Sequence, residues 1–248
     1  MSDESSWVMK ALSDDDPNCI RTVEALEEYI ERIGFIPLIR CAIPGFSVEK
    51  HTAASGWWSD DPTRDPWIWR QILAEQGNVA YGKFFEKKAG FISRAWLPDF
   101  VNLRRDGYDY DARWEDELAS YRSKKIMDLF AEEQADRELF SYEIRQLAGF
   151  GKNGEKNFEG EITNLQMQTY LCVRDFRRKR NKRGEEYGWG TAVYCKPEHI
   201  WGYDYVTSRY RTAPEESARR ILCRVKECYP EAKDKDIHKV LGIVKRLQ

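Results

Sequence analysis

No two cysteines in this sequence are spaced as CxxC, and only three histidines are present. Cys19, Cys41, Cys172, Cys195, Cys223 and Cys228 are dispersed, as are His51, His199 and His238, so no zinc-ligand spacing arises and no metal site is expected. A chain of this length with an ordinary apolar content and no signal peptide does not call for a disulfide framework. No apolar run approaches the ~18 residues that mark a membrane span, so none is expected. Nothing calls for a cofactor. These absences read as a reduced, cytoplasmic protein. An excess of one charge is missing too. The formal net charge is -2, from 40 Lys and Arg against 42 Asp and Glu, so no global field draws the chain onto nucleic acid or membrane. Any nucleic-acid contact must come from a local patch.

What is present suffices for a packed core: hydrophobic residues make up 42% and aromatics 13% of 248 residues. That length holds one large core or two modest ones. Residues 1–20 read as a loose acidic lead-in, with Asp3, Glu4, Asp14, Asp15 and Asp16. Val23, Leu26, Tyr29, Ile30 and Ile33 then share a helical face that Gly34 closes, and an extended segment follows over 35–38. Trp57, Trp58, Trp67 and Trp69 form an aromatic block interleaved with Asp60, Asp61 and Asp65. Asp65-Pro66 predicts a helix start, with the end near Gly77. Residues 79–85 and 91–92, around a Lys-Lys-Ala-Gly turn, predict two short strands. Ser93 is expected to cap a helix that is bent or interrupted at Pro98. The polar stretch 104–111 is the predicted boundary of an aromatic-rich N-terminal α+β domain over 21–111.

The second half has a clearer rhythm. Ile126, Leu129 and Phe130 predict a helix after Ser123, Leu139-Phe140 a minimal strand, and Ile144, Leu147 and Ala148 a helix capped by Ser141. Phe158, Ile162 and Leu165 at i, i+4 and i+7 predict a third helix. Strands over 169–176 and 190–194 flank a basic loop. Helix, strand, helix, helix, strand, loop, strand is the order of a winged helix. A Thr-Ala-Pro-Glu capping box at 212–215 opens a later helix with Ala218, Ile221, Leu222 and Val225, and Ile237, Val240 and Leu241 mark a last one. The expected class is α+β, mainly helical, with a central winged helix over 112–196 and a C-terminal helical extension over 197–248.

Arg177, Arg178, Lys179, Arg180, Lys182 and Arg183 occupy six of seven consecutive positions in the predicted wing. Cations at a hairpin tip straddle phosphates and release counterions, which is the nucleic-acid reading. The plainer reading is a solvated hairpin whose charge prevents edge-to-edge association. The third helix argues against base reading, because Glu155, Glu159 and Glu161 meet phosphates badly, although Asn157 and Asn164 are able to contact bases. The Trp block is either a platform for bases, with Tyr81 and Lys83 nearby, or simply core; two of its members, Trp67 and Trp69, cannot share one helix face. Gln166 and Gln168 fall where the third helix gives way to the first wing strand. On extended backbone both would point the same way and position a water, whereas the plain alternative is polar residues at a helix end.

Trp69, the run Tyr81-Gly82-Lys83-Phe84-Phe85, then Ala89-Gly90-Phe91-Ile92-Ser93 and Leu97-Pro98 resemble a group of small bacterial proteins related to the AlkZ/YcaQ DNA glycosylases. So do the stretches 215–220 and 236–242, and the resemblance spans most of residues 22–242. The larger glycosylases are built from winged helices around a DNA-binding cleft and hydrolyse the N-glycosidic bond of alkylated or crosslinked bases without a metal. Their signature is Gln-x-Gln or Gln-x-Asp preceded by leucine, at the end of a winged-helix third helix. Leu165-Gln166-Met167-Gln168 matches it in residue type and local position. The resemblance therefore implies that Gln166 and Gln168 position the attacking water while the wing grips the DNA backbone. This sequence departs from the large enzymes, whose signature lies near the N-terminus; here more than 120 residues precede it. Three expectations result: a metal-free DNA glycosylase of the DNA-repair type, a non-catalytic nucleic-acid-binding or regulatory winged-helix protein, and a protein-interaction module whose wing meets an acidic partner.

Overall fold

The computed structural model describes residues 12–131, 137–181 and 183–243. Most expected elements form. Helix α1 (Val23–Ile33) starts where the Thr22 hydroxyl accepts the N–H of Ala25 and stops at Gly34, whose φ of 98° lets its N–H reach Ile30 O. Strand β1 (Phe35–Pro37) follows directly. Helix α2 (Pro66–Gln76) is capped by the Asp65 carboxylate and closed by left-handed Gly77. Strands β2 (Val79–Phe85) and β3 (Lys88–Ser93) make the predicted hairpin.

The helix expected through Pro98 is interrupted rather than bent. A 3-10 turn over Arg94–Trp96 comes first, and Pro98 lies in the opening turn of α3 (Leu97–Arg105), where its missing N–H costs nothing. The Ser93 hydroxyl makes no cap bond.

Across the polar stretch lie α4 (Tyr110–Glu115) and α5 (Tyr121–Met127), the latter capped by Ser120 and so starting ahead of Ser123. Strand β4 (Leu139–Phe140) leads into α6 (Ser141–Leu147), where Glu143 accepts the N–H of Phe140. Helix α7 (Phe158–Met167) precedes the long hairpin of β5 (Cys172–Arg180) and β6 (Glu186–Cys195). Short helices α8 (Pro197–Trp201) and α9 (Tyr203–Val206) lead to α10 (Pro214–Cys228) and α11 (Asp234–Leu241). The expected capping box at Thr212 does not form: the N-cap of α10 is Ala213, and Thr212 O instead accepts the Asn102 amide.

One antiparallel sheet runs through the molecule in the order β1-β3-β2-β5-β6-β4. The two halves of the chain join where Tyr81 of β2 pairs with Val173 of β5. A single hydrophobic core cluster takes in Phe35, Trp69, Phe84 and Phe100 from before the polar stretch and Ile162, Leu171 and Cys195 from after it. Helix α10 docks on α3 through a buried polar chain: Asn102 donates to Ser217 Oγ, which donates to Asp99 Oδ1. The lead-in is not loose over residues 12–20. Leu12 and Ile20 bridge to Ala53 and Thr52, and Arg64 pairs with Asp14 at 3.0 Å. Among the described residues no helix is long and apolar enough to cross a membrane.

Candidate functional site

The basic run is mostly strand, not loop. The ladder continues through Lys179 opposite Tyr187 and Arg180 opposite Glu186, so that β5 ends at Arg180 and β6 begins at Glu186. At the end of the ladder an opposite-charge pair helps so polar a sequence stay paired. Arg180 meets Glu186 at 3.3 Å with both side chains exposed.

The six candidate cations part company. Arg177 is spent on the protein itself, its Nη2 donating to Glu138 at 2.5 Å and its Nε to Asp175 at 2.6 Å. Arg174 and His199 also reach Glu138, at 3.3 and 3.4 Å. Burial works to raise the Glu138 pKa, but Arg177, His199 and Arg174 together hold it below the usual carboxylate value. This cluster anchors the hairpin base. Further out, Arg178 and Arg183 are exposed and make no ion pair among the described residues. Lys179 lies 4.6 Å over the ring of Tyr142, which stacks on Phe140 at 5.0 Å and 24°. Tyr187, opposite Lys179, is exposed. Lys182 lies outside the described residues.

The acid of the third helix is largely answered within the protein. Glu155, just before α7, pairs with Arg122 and Lys125 of α5, both at 3.1 Å, and Glu161 accepts the Ser120 hydroxyl. Glu159 stays exposed.

Gln166 and Gln168 do not act side by side. Gln166 belongs to α7, and Gln168 is the residue that closes it, so the backbone between them is not extended. Two positions apart on a helix is a turn of about 200°, and the two side chains face apart. Gln166 is 1% exposed, with Oε1 accepting the N–H of Lys83 at 2.9 Å and Nε2 donating to Ile162 O at 3.1 Å. The irregularity in β2 between Gly82 and Phe85 explains the first bond, since a bulged strand leaves an N–H without its ladder partner. Gln168 is half-buried and lines a cavity of about 300 Å³ with Arg104 and Arg113.

A family model described as AlkZ related matches residues 20–242. The chain belongs to the AlkZ-related family. No curated protein and no solved structure matches it. In this AlkZ-related chain the Trp block is divided between core and surface. Trp57 and Trp69 are buried, donating to Thr52 Oγ1 and Thr63 O, whereas Trp58 and Trp67 are exposed. Trp67 covers the Arg70 guanidinium at 3.8 Å, which also lies 4.2 Å from the ring of Phe176 of β5. Lys83 reaches Gln166 through its backbone, and Tyr81 is buried. Nothing in the sequence marks Arg70, Arg104, Arg113 or Tyr142: each gains its setting from partners distant in the chain.

Proposed function

We propose that this AlkZ-related protein holds DNA by its backbone through the β5–β6 hairpin, in a DNA-repair setting, and that Gln166 and Gln168 do not form a catalytic pair. On this reading residues 121–195 are a winged helix. The element order α5, β4, α6, α7, β5, β6 supports it, with β6 between β4 and β5. The observation that carries the proposal is the division of the cations: the base arginine is neutralised internally, while Arg178 and Arg183 are exposed, Arg178 on one wall with Tyr142, and Lys179 lies over the Tyr142 ring with Tyr187 opposite. Unpaired cations next to exposed aromatic rings suit phosphates and bases together. Against catalysis stands the buried, doubly bonded Gln166, which has lost the freedom to orient a water.

The test is fluorescence anisotropy with labelled duplex DNA over a salt series, with a parallel base-release assay on alkylated and crosslinked DNA. We expect steeply salt-dependent binding and no base release above the protein-free control. Absence of binding at low salt overturns the DNA reading. Base release that disappears in a folded Gln168→Ala variant overturns the non-catalytic half.

A further inference from the structure

The cavity beside Gln168 has chemistry that the hairpin reading leaves unused. Its volume is about 300 Å³, and Arg104, Arg113, Asp106 and Gln168 line it with the apolar Leu103 and Met167. Arg104 comes from α3, Arg113 from α4 and Gln168 from the end of α7, so the fold gathers two guanidiniums and an amide from separate elements.

Arg104 is held firmly on one side only. Its Nη2 donates to the carbonyls of Phe84 at 2.6 Å and Leu241 at 3.3 Å, and its guanidinium lies 4.8 Å over the Phe100 ring. Its Nη1 is buried and has no hydrogen-bond partner, and the same is true of the Arg113 Nε. Neither arginine makes an ion pair among the described residues, and Asp106 is the one carboxylate on the described wall. Burial without a paired carboxylate pushes the Arg104 pKa down, because the charged form has lost water and gained no counter-charge. A half-buried guanidinium in that condition is costly, and an anion entering the cavity would offset the cost.

We propose that this cavity binds a phosphate group, with Arg104 and Arg113 meeting its charge and the Gln168 amide donating to an oxygen. Guanidinium forks match oxyanions in geometry as well as charge, which a point charge such as lysine does not. The phosphate is either that of a small phosphate ester or one from a nucleic-acid backbone. The site stands apart from the hairpin tip. Strand β5 is 9 residues long, which at ~3.3 Å per residue separates the tip from the α7 end by about 30 Å.

The test is the thermal unfolding midpoint of the full chain titrated with inorganic phosphate, against sodium chloride at matched ionic strength. Bound phosphate should raise the midpoint with the logarithmic dependence of a single site. Arg104→Ala removes ties to β2 and α11 and is expected to unfold, so half-buried Arg113→Ala and Gln168→Ala carry the test. Each should weaken apparent phosphate affinity at least tenfold. An Arg178→Ala/Lys179→Ala/Arg183→Ala hairpin variant should keep the full response, which makes this result independent of the DNA-gripping proposal. A nucleoside monophosphate and a short single-stranded oligonucleotide, each competed against phosphate, distinguish the two sources. No rise beyond the chloride control, an undiminished response in both cavity variants, or a response lost only in the hairpin variant overturns the proposal.

Discussion

Gln166 accepts the backbone N–H of Lys83 at 2.9 Å, joining α7 to β2 across 83 residues of sequence. The bond answers a donor freed by the irregularity between Gly82 and Phe85, and the same amide returns a hydrogen bond to Ile162 one turn back in its own helix. Room for the approach depends on Gly82, since a Cβ there would meet the Phe84 ring at 2.9 Å and Gln166 Oε1 at 3.3 Å. A residue that the family resemblance casts as a catalyst thus closes the seam between the two halves of the chain.

Gln166→Leu keeps the volume but leaves the Lys83 N–H without an acceptor in a buried setting. It should destabilise the protein by about 1–3 kcal/mol in urea denaturation. A loss below about 0.5 kcal/mol would show that the seam does not rest on this amide.

Two arginines adjacent in sequence should behave differently. Arg178→Ala should leave the unfolding midpoint unchanged and lower the salt slope of DNA binding by about 0.9, the value of one phosphate contact. Arg177→Ala should instead reduce stability, because it opens the Glu138 cluster, while changing the slope little. Equal effects of the two on the slope would refute the division of the hairpin into anchoring and gripping cations.

The ion pair between Arg105 and Glu198 is nearly closed to solvent, with side chains 2% and 10% exposed. Arg105 also donates to Thr169 O at 2.7 Å, just past Gln168. Removing one partner strands the other, so Glu198→Ala should cost about 3–5 kcal/mol. Burial works to raise the Glu198 pKa, but the charge and hydrogen bond of Arg105 bring it below the usual value. With the folded pKa below the unfolded one of about 4.3, the carboxylate's contribution is full above that value and lost as pH falls through the folded pKa. Stability measured from pH 6 to 3 should therefore decline more steeply in the native chain than in Glu198→Ala. Parallel curves would assign the acid sensitivity elsewhere.

Gly34→Ala should destabilise by about 2 kcal/mol or more. The residue has a φ of 98°, and an added Cβ would sit 2.5 Å from the Trp96 ring. The thermal midpoint reads the loss directly, and an unchanged midpoint would mean that Trp96 moves aside freely.

Local rules carried the sequence far. Apolar periodicity placed α1, α7, α10 and α11, because a face that must be buried declares itself at helical spacing. Asp65-Pro66 and the glycines at 34 and 77 marked their helix ends, because capping needs only neighbours. The family was legible in motifs on β2, β3 and α3, and the matching model covers the same ground. Serine caps were less dependable: at 93 and 141 another residue occupies the cap or no side-chain bond forms, since a hydroxyl serves several geometries equally.

The sequence by itself determined that charge is concentrated in one short basic run and that Gln166 and Gln168 are two residues apart. Only the tertiary structure decided that Arg177 is neutralised by Glu138, that the glutamines face apart, and that Gln166 is consumed by β2. It also decided that Gln168 shares a cavity with two unpaired arginines. The reason is physical. Composition and spacing record which groups a chain carries, but whether a charge or an amide is free depends on partners brought from dozens of residues away, and on whether water still reaches it.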